Sequence, residues 1–501
     1  MSALDVAPGP QLAKAPFGIT GLDQVTNGGI PEGRVTLISG NAGTGKTLLS
    51  IEFLVNGIRD HDEPAVLVTF EESAAKVAAN VRSLGFDLKQ MQDDGKLVML
   101  SFKVDPSEEH EHFDFSPFYV LLDDAIKRSG AKRIVLDTIE VLFGAYSNDA
   151  TMRIELIRLI RWIEDKGVTA IITGERGNHG LTRHGIEEYV SDCVIVLDHR
   201  IHNEVSTRRM RVVKYRGSAH GTNEYPFLIG SHGFVILPIT NITLDYDVFT
   251  KRVSTGVSKL DTMLGGGPYR GSTILVTGVA GTGKTTIGAA MINAACARGE
   301  KALMVLFEEA ASQLERNMAS VGIDLKQWVD AGLLRIWTAR PLEYGLENHL
   351  AYLIDLLDEV HPEIVVFDGL SGFAGIGEYD SDVMAMIARK IDIVKQRGIT
   401  AVLTTLGHGA DDETSQIGIS SLIDTWILLT NIESNGERNR LLFVSKSRGS
   451  AHSNQVREFV LSDDGIDLVS VFIGPSGVLT GSERRAQELL ERSRHDREAG
   501  S

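Results

Sequence analysis

The sequence RVTLISGNAGTGKT at residues 34–47 returns as STILVTGVAGTGKT at residues 272–285. Each copy is a β-branched apolar run that ends in the spacing G-x-x-x-x-G-K-T, which is typical of a loop that binds phosphate groups. Its glycines let backbone N–H groups point at phosphate oxygens, its lysine adds a positive charge, and its threonine hydroxyl is a ligand for Mg²⁺. The helix that follows offers its positive N-terminal end to the same anion.

These two stretches predict two nucleotide sites. A glycine-rich turn without a ligand would not explain a Lys-Thr pair in both copies. The first site comprises Gly40, Asn41, Ala42, Gly43, Thr44, Gly45, Lys46, Thr47 and Leu48. The second site comprises Gly278, Val279, Ala280, Gly281, Thr282, Gly283, Lys284, Thr285 and Thr286.

The composition sets broad limits on the class of protein. The chain has 501 residues, 43% of them hydrophobic and 23% charged, which is typical of a globular protein with two to four domains. A net charge of −17 argues against charge-driven binding of nucleic acid, although it leaves room for a narrow basic channel. Cys193 and Cys296 lie in apolar segments, so we expect buried thiols rather than a disulfide or a zinc site. With no membrane span in the sequence, we expect a cytoplasmic protein without a membrane partner.

Strand and helix patterns alternate along the first half. Strand-like runs occur at 34–39, 65–70, 97–102, 133–137, 169–173 and 193–198, and helical patterns such as 46–58 and 152–166 fall between them. Near-continuous Val, Ile and Leu runs of this kind predict an α/β fold with a mostly parallel central sheet covered by helices on both faces. The stretch 207–237 has shorter runs broken by turns, so we expect a small antiparallel extension.

Landmarks of the first half recur in the second half. Lys46 corresponds to Lys284 at an offset of 238, and Asp137 corresponds to Asp368 at an offset of 231. The chain is therefore predicted to be a tandem duplication of one nucleotide-binding unit. The expected segments are a disordered lead at 1–15, a first domain at 16–240, a linker at 241–253, a second domain at 254–474 and a polar tail at 475–501.

A carboxylate that holds Mg²⁺ is expected at the end of an apolar strand. Asp137 and Asp368 each follow such a run and occupy corresponding places in the two halves. Read alone, an Asp in this position is more often a helix cap. Its recurrence favours a metal site in each half, shared with Thr47 or Thr285.

Paired glutamates, Glu71-Glu72 and Glu308-Glu309, end the strand that follows each loop. The carboxyl ends of parallel strands face the ligand crevice. We expect repulsion between the adjacent acids to raise one pKa toward the range of a general base, which makes the four residues catalytic candidates. The alternative is a pair of solvated acids at the start of a helix.

The blocks KYRGSAH at 214–220 and KSRGSAH at 446–452 lie far along the chain from their own loops. Lys and Arg at alternating positions share one face of a strand, which is often a solvated face. Their repetition favours contacts to the γ-phosphate bound by a neighbouring subunit. The candidates are Lys214, Arg216, His220, Lys446, Arg448 and His452.

The halves differ where residues 188–192 align with residues 420–424. Ser420 and Ser421 provide two adjacent hydroxyl groups where the first half has Glu188 and Tyr189. Adjacent serines are a weak signal by themselves, and their place in a loop before a strand is only suggestive.

Together, the two loops, the segments VTFEES and VLFEEA, the KYRGSAH and KSRGSAH blocks and GISSLIDTWILL resemble the KaiC family of clock ATPases and autokinases. The resemblance runs from about residue 16 to about residue 470. It implies two RecA-like domains in a double-ring homohexamer, with ATP at every subunit interface. The first domain would be an ATPase and the second a serine/threonine autokinase.

The resemblance also assigns roles to the candidates. The glutamates of the first domain would polarise the attacking water, and those of the second would activate a hydroxyl group of the adjoining subunit. The phosphoacceptors carry over as Ser420 and Ser421, where the family usually has threonine at the second position. A third hydroxyl that shuttles phosphate corresponds to Ser415, but Gln416 replaces the Asp that follows it in the cyanobacterial pattern.

The tail does not clearly match the family segment that binds the activator KaiA, so a KaiA-dependent rhythm is not implied. KaiB-type binding to the first ring stays open. Within the tail we expect a short helix with Ala486, Leu489 and Leu490 on one face, followed by disorder.

Two other functions stay open at this point. One is a DNA-directed RecA-like motor, against which the acidic charge and the absence of an obvious basic and aromatic DNA loop argue. The other is a nucleotide-gated scaffold that binds ATP to assemble and acts by binding partners without phosphorylation.

Overall fold

The computed structural model describes two compact units, Met1–Asn241 and Ile242–Ser501. The described residues are 12–102, 115–143, 149–177, 190–202, 205–230, 233–236, 248–374, 380–407, 420–434, 436–474 and 477–499.

The first unit is an α/β structure built on one nine-stranded sheet. Its elements are β1 (Lys14–Ala15), α1 (Thr20–Val25), β2 (Ile30–Pro31), β3 (Val35–Gly40), α2 (Lys46–His61), β4 (Ala65–Thr69), α3 (Ala74–Arg82), α4 (Leu88–Asp93), β5 (Leu97–Ser101), α5 (Ser116–Ser129), β6 (Arg133–Asp137), α6 (Glu140–Phe143), α7 (Asp149–Asp165), β7 (Thr169–Glu175), β8 (Cys193–His202), β9 (Val205–Tyr215), β10 (Tyr225–Gly230) and β11 (Gly233–Ile236). The strand order is β11-β10-β9-β8-β3-β7-β6-β4-β5. The six strands from β8 to β5 are parallel, and β9, β10 and β11 extend the same sheet in antiparallel fashion.

The central strands are buried along nearly their whole length because helices cover both faces of the sheet. All six residues of β3 are buried. Ile38 packs into one core with Phe53 of α2, whereas Leu37 packs into the opposite core with Phe118 of α5 and Ile163 of α7. Each large apolar side chain buried in this way stabilises the fold by roughly 1.5–3 kcal/mol. The predicted α/β fold is confirmed.

The second unit repeats this architecture. Its elements are α8 (Ser258–Met263), β12 (Thr273–Gly278), α9 (Lys284–Ala297), β13 (Ala302–Leu306), α10 (Ala311–Ala319), α11 (Lys326–Asp330), β14 (Leu334–Thr338), α12 (Leu346–Val360), β15 (Ile364–Asp368), a 3₁₀ turn (Leu370–Phe373), α13 (Asp380–Gln396), β16 (Thr400–Leu406), a second 3₁₀ turn (Ser420–Leu422), β17 (Thr425–Ser434), β18 (Glu437–Ser447), β19 (Arg457–Ser462), β20 (Gly465–Ser470), β21 (Phe472–Gly474), β22 (Gly477–Leu479) and α14 (Gly481–Ala499). The strand order β14-β13-β15-β16-β12-β17-β18-β19-β20 corresponds strand for strand to that of the first unit. Again α9 covers one face, and α12 and α13 cover the other.

The start of the described chain differs from the sequence-based expectation. Residues 14 and 15, which we expected in a disordered lead, form β1 and pair with β2. The Lys14 ammonium donates hydrogen bonds to the carbonyl oxygens of Thr26 (2.6 Å) and Asn27 (2.9 Å) and to the Ser218 hydroxyl (2.7 Å). These contacts fix the segment, while residues 1–11 lie outside the described residues.

The tail also differs, because α14 continues to Ala499 instead of ending after a short helix. Its first turn is anchored by Arg484, whose Nε lies 2.6 Å from Oε2 of Glu458, and both side chains are buried. Leu489 and Leu490, expected on one face of that helix, are 64% and 59% exposed. A polar contact therefore docks this helix. Among the described residues, no helix has both the length and the apolar character needed to span a membrane.

Candidate functional site

The first glycine-rich loop joins β3 to α2, as the sequence predicted. Gly45 has a φ of +103°, and a Cβ atom there would lie 2.9 Å from a ring carbon of Phe234, so this position requires glycine. Lys46 begins the helix, and its Nζ donates hydrogen bonds to the carbonyl oxygens of Gly40 (2.7 Å) and Asn41 (3.1 Å). The lysine charge therefore lies over the loop and beside the helix N-terminus.

The second loop has the same geometry. Gly283 has a φ of +98°, and a Cβ atom there would lie 2.7 Å from the ring of Phe459. Lys284 Nζ donates to the carbonyl oxygens of Gly278 (2.9 Å) and Val279 (3.0 Å). The two loops are thus equivalent in backbone conformation and in the placement of the lysine.

The other residues that we expect to contact the nucleotide lie in these loops or in the first turn of the next helix. Thr44 Oγ1 donates to the Asn41 carbonyl oxygen, and Thr282 Oγ1 donates to that of Val279, each at 2.8 Å. These two threonines hold the loop turns closed. The remaining members of the set are Ala42, Gly43, Thr47, Leu48, Ala280, Gly281, Thr285 and Thr286.

The predicted metal ligands meet in both units. Thr47 Oγ1 lies 2.7 Å from Oδ2 of Asp137, and Thr285 Oγ1 lies 3.0 and 3.2 Å from the two carboxylate oxygens of Asp368. Both aspartates are buried, and burial raises the pKa of Asp368, while hydrogen bonds from Thr404 and Thr285 oppose that rise. Each pair places one hydroxyl and one carboxylate beside the phosphate loop.

These oxygen donors fit Mg²⁺, which is commonly held by one or two carboxylates together with phosphate oxygens of a substrate. Within the described ranges, no group of three or more His, Cys, Asp or Glu residues could hold a metal by itself. Phosphate oxygens of the nucleotide and water would complete the coordination of a Mg²⁺ ion at Asp137 or Asp368.

The paired glutamates of the second unit follow β13 and lie beside Asp368. They line a cavity of about 180 Å³ with Arg340 and Glu343. Burial, followed by the charge of Asp368, raises the pKa of both Glu308 and Glu309. Repulsion from Glu308 on Glu309 is a smaller contribution. The raised pKa that we expected is present, but its main cause is burial rather than repulsion between the two glutamates.

The first unit places Glu71 and Glu72 in the same way, after β4 and beside Asp137. Here Glu72 Oε1 forms an ion pair of 2.6 Å with Lys76 Nζ, one turn along α3. Glu309 in the second unit instead accepts a hydrogen bond of 3.4 Å from Asn317. The two glutamate pairs therefore share a position but differ in their nearest partners.

The Lys-x-Arg pairs lie at the edge of the sheet formed by the amino ends of the parallel strands. The phosphate loop of the same unit lies at the opposite edge, formed by the carboxyl ends. Lys214 of β9 is opposite Val194 of β8, near the amino end of β3, whereas the loop follows the carboxyl end of β3. In the second unit, Lys446 of β18 is opposite Trp426 of β17, which is the equivalent pairing. We expected both charges on a strand, but Arg216 and Arg448 each lie in the turn just after the strand ends.

The candidate acceptors lie at this same edge. Ser420 and Ser421 begin the 3₁₀ turn before β17. We call the 3₁₀ turn Ser420–Leu422 the acceptor turn. Arg448 Nη2 donates a hydrogen bond of 2.7 Å to the Ser421 carbonyl oxygen, which links this cation to the acceptor turn. The His220 ring nitrogen lies 3.0 Å from the Gly221 carbonyl oxygen, and His452 is exposed. Glu188, Tyr189, Ser415 and Gln416 lie outside the described residues.

Comparison with known proteins agrees with this geometry. The family model described as "ATPase: KaiC" matches residues 15–241 and again residues 253–471. The chain belongs to the KaiC ATPase family. Each half thus corresponds to one KaiC-type ATPase domain, which supports nucleotide binding and ATPase activity for the tandem units.

Individual KaiC relatives align over nearly the whole chain. Circadian clock protein KaiC2 of Synechocystis sp. is 49% identical over 96% of this chain and 85% of its own length. The circadian clock oscillator protein KaiC of Synechococcus elongatus is 38% identical over 95% of this chain and 92% of its own length. That of Acaryochloris marina is 37% identical over 93% and 90%.

Two aspartates that sequence reasoning did not single out organise the acceptor edge of the KaiC-type units. Asp192 Oδ1 lies 3.5 Å from Arg34 and 3.8 Å from Arg216. Asp424 Oδ2 accepts from the Thr273 backbone N–H at 2.9 Å and pairs with Lys395 at 2.7 Å. Their recurrence at an offset of 232, each just before a strand, was the available signal.

Proposed function

We propose that this chain is an ATP-dependent serine autokinase and ATPase that works as a double-ring homohexamer. The first unit hydrolyses ATP, and the second transfers phosphate to Ser420 or Ser421 of an adjoining subunit. One observation carries the proposal: the acceptor turn and its cations lie at the edge of the sheet opposite the phosphate loop of the same unit.

The separation can be estimated from the strand between them. Asp424 N–H donates to the Thr273 carbonyl oxygen at the amino end of β12, and Ser421 precedes Asp424 by one turn. The loop begins at Gly278, the other end of β12. A strand advances about 3.3 Å per residue, so these two ends are ~17 Å apart. Reacting atoms must approach to about 3–3.5 Å, so the acceptor needs a nucleotide bound by another copy.

The transfer step in the second unit uses groups in and beside its phosphate loop. Lys284 and the N-terminus of α9 hold the phosphates, and Thr285 and Asp368 would hold Mg²⁺. When bound, Mg²⁺ neutralises charge on the β- and γ-phosphate oxygens. Glu308 takes the proton of the serine hydroxyl as the Oγ–P bond forms and the bond to ADP breaks. Glu309 lies beside it in the same cavity.

The first unit lacks the acceptor pair, and water takes its place. Glu71 and Glu72 orient that water, and the Lys76 ion pair fixes Glu72. Lys214 and Arg216 approach the γ-phosphate from the neighbouring subunit, as Lys446 and Arg448 do in the second ring. Each ring then completes its sites only on assembly.

The names of the relatives support a signalling role. Several are named circadian clock proteins, and we propose that this chain reports its phosphorylation state to partners in a related system. A KaiB-like protein that binds the first ring fits this role. An acidic net charge of −17 argues against nucleic acid as the partner.

The first experiment is phosphopeptide mass spectrometry after incubation with Mg-ATP. We expect phosphate on Ser420 or Ser421, and none in the Glu308→Gln/Glu309→Gln variant. The matched variant Glu71→Gln/Glu72→Gln should lose ADP production by the first unit while keeping serine phosphorylation. A chain that hydrolyses ATP with both serines unmodified would refute the kinase and favour the nucleotide-gated scaffold.

Transfer between subunits has its own test. A Ser420→Ala/Ser421→Ala chain and a Glu308→Gln/Glu309→Gln chain should each stay unphosphorylated alone. Co-assembled, they should yield phosphate on the second chain only, because its serines then face an intact glutamate pair. Absence of phosphate in mixed assemblies, with the unmixed wild type phosphorylated, would contradict transfer between subunits.

A further inference from the structure

The acceptor turn of the second unit is held from two sides by cations. Arg448 donates to the Ser421 carbonyl oxygen at 2.7 Å. Lys395, near the end of α13, donates to the Leu422 carbonyl oxygen at 3.4 Å and pairs with Asp424 at 2.7 Å. The Lys395 side chain is buried, with 9% of its surface exposed. Two consecutive carbonyl groups of the turn therefore each contact a different cation.

The first unit has the opposite charge at this place. The helices α7 and α13 are both 17 residues long, and Lys395 corresponds to Glu164 at an offset of 231. In the first unit, Arg34 and Arg216 supply the positive charges around Asp192. Burial and then the nearby Asp192 raise the pKa of Glu164. Lys395 is therefore present in the unit that has Ser420 and Ser421, and a glutamate replaces it in the unit that lacks them.

The cations around the turn outnumber the carboxylates. The pKa of Lys446 is lowered by burial first, then by the charge of Arg448, with opposing attraction from Asp424 and a further lowering by Lys395. Asp392, on the same helix as Lys395, also interacts with the charge of this lysine, so three cations face two carboxylates here. A phosphoserine carries about −1.5 to −2 charges at neutral pH, and the excess of cations favours its binding.

We propose that Lys395 is a positioning residue that holds the acceptor turn for transfer, and that with Lys446 and Arg448 it forms the site that receives the phosphoserine group. Before transfer, Lys395 fixes the turn through Leu422 and Asp424. After transfer, the same cations balance the new negative charge within their own subunit. The proposal rests on the serine kinase activity proposed above.

The test compares three substitutions of Lys395 by the initial rate of serine phosphorylation at saturating ATP. A misplacement of about 1 Å can cost on the order of 10²-fold in rate, so Lys395→Met should slow phosphorylation by roughly 10- to 100-fold. The KM for ATP should change less than about twofold, because the contacts of Lys395 with Leu422 and Asp424 hold the acceptor turn rather than the nucleotide. Lys395→Arg should recover most of the rate, since it keeps the charge.

Lys395→Glu copies the first unit and should be the slowest variant at pH 8. Its carboxylate would face Asp424 and Asp392, as Glu164 faces Asp192, so its protonation at lower pH should restore part of the rate relative to the wild type at the same pH. Lys395→Met should not show this recovery. A purely structural role would not produce this pH dependence.

The matched control is Glu164→Lys in the first unit, which should leave serine phosphorylation unchanged. Assembly size and thermal unfolding of each variant separate misfolding from misplacement. Wild-type rates in Lys395→Met, or no advantage of Lys395→Arg over it, would overturn the proposal while the kinase function stands. A wild-type chain without phosphoserine would instead refute the kinase function, and this proposal with it.

Discussion

Replacing Lys390 by methionine should stabilise the second unit at neutral pH. This lysine lies in α13 with only 2% of its surface exposed. Its Nζ lies 4.9 Å from the ring centroids of both Phe307 and Phe373, and 5.7 Å from that of Phe367. Among the described residues, no carboxylate forms an ion pair with it, so aromatic rings surround a charge that burial disfavours.

A second titratable group shares this core. His349 is fully buried, and its Nε2 lies 3.1 Å from the Pro341 carbonyl oxygen. Burial, followed by the charge of Lys390, lowers the pKa of His349 to about 4, so the imidazole is neutral near pH 7. The corresponding residues of the first unit are Phe118 and Leu159, at an offset of 231. An apolar side chain therefore fits this position in the same fold.

The magnitude follows from the pKa of the lysine. Burial lowers it from an ordinary value of 10.5 to about 7. Each pKa unit corresponds to about 1.4 kcal/mol, so the charged form costs the folded state on the order of 5 kcal/mol, and relaxation reduces what is measured to about 2–4 kcal/mol. Between pH 7 and 10.5 the unfolded chain binds a proton that the folded chain does not, so wild-type stability rises with pH across that range.

The assay is urea unfolding of the wild type and Lys390→Met at pH 7 and pH 10. Tryptophan fluorescence is suitable, because Trp328, Trp337 and Trp426 report on the second unit, against Trp162 in the first. The variant should be more stable by about 2–4 kcal/mol at pH 7, and this difference should shrink by most of its value at pH 10.

Leu159→Met is the matched control at the corresponding place in the first unit. It should change stability by less than about 1.5 kcal/mol, with no pH dependence. If Lys390→Met were no more stable than the wild type at pH 7, or if its advantage did not change with pH, the inference of a costly buried charge would be wrong.

Three further predictions concern the site and the cores. Because burial raises the pKa of Glu308, the initial rate of serine phosphorylation should fall as acidification protonates this carboxylate, and a rate that stays constant on acidification would contradict its role as base. Gly57→Ala should destabilise the first unit by about 1–3 kcal/mol, since a Cβ atom there would lie 2.3 Å from Arg133 Nε. In a double-mutant cycle followed by urea unfolding, Gly57→Ala/Arg133→Ile should lose less stability than the two single variants lose together. Strictly additive losses would count against the contact. Arg484→Ala leaves the Glu458 carboxylate buried without its partner, so α14 should loosen by about 3–5 kcal/mol, and unchanged proteolysis of the tail would contradict this.

The α/β fold could be predicted because its signals are local. The buried strands are mostly apolar runs, and the glycines of the loops after β3 and β12 are visible in the sequence itself. The meeting of Thr47 with Asp137 could also be expected, because the carboxyl ends of parallel strands share one edge. In these cases a short stretch of sequence, together with the rule that carboxyl ends of parallel strands share one edge, is sufficient to predict the structure.

The arrangement of the acceptor edge could not be read from the sequence. It depends on strand order, which places β9 beside β8 and β8 beside β3. The local sequence KYRGSAH does not predict that Lys214 and Gly40 lie at opposite edges of the sheet. Asp424 looks like an ordinary residue before a strand until its partners from β12 and α13 are known. The docking of α14 likewise rests on one ion pair between residues distant in sequence.

The duplicated units share what binds a nucleotide and differ in the helix behind the acceptor edge. In α13 the second unit has Lys390 and Lys395 where the first has Leu159 and Glu164. One lysine carries its charge into an aromatic core, and the other contacts the acceptor turn. Stability alone favours the apolar residue at the first of these positions. If both lysines were only tolerated substitutions, exchanging each for the first unit's residue would leave phosphorylation unchanged. The proposal for Lys395 requires that its exchange lowers the rate of phosphorylation. The prediction for Lys390 requires only that its exchange raises the stability of the second unit. The two exchanges therefore distinguish a residue that supports phosphate transfer from one that destabilises the fold.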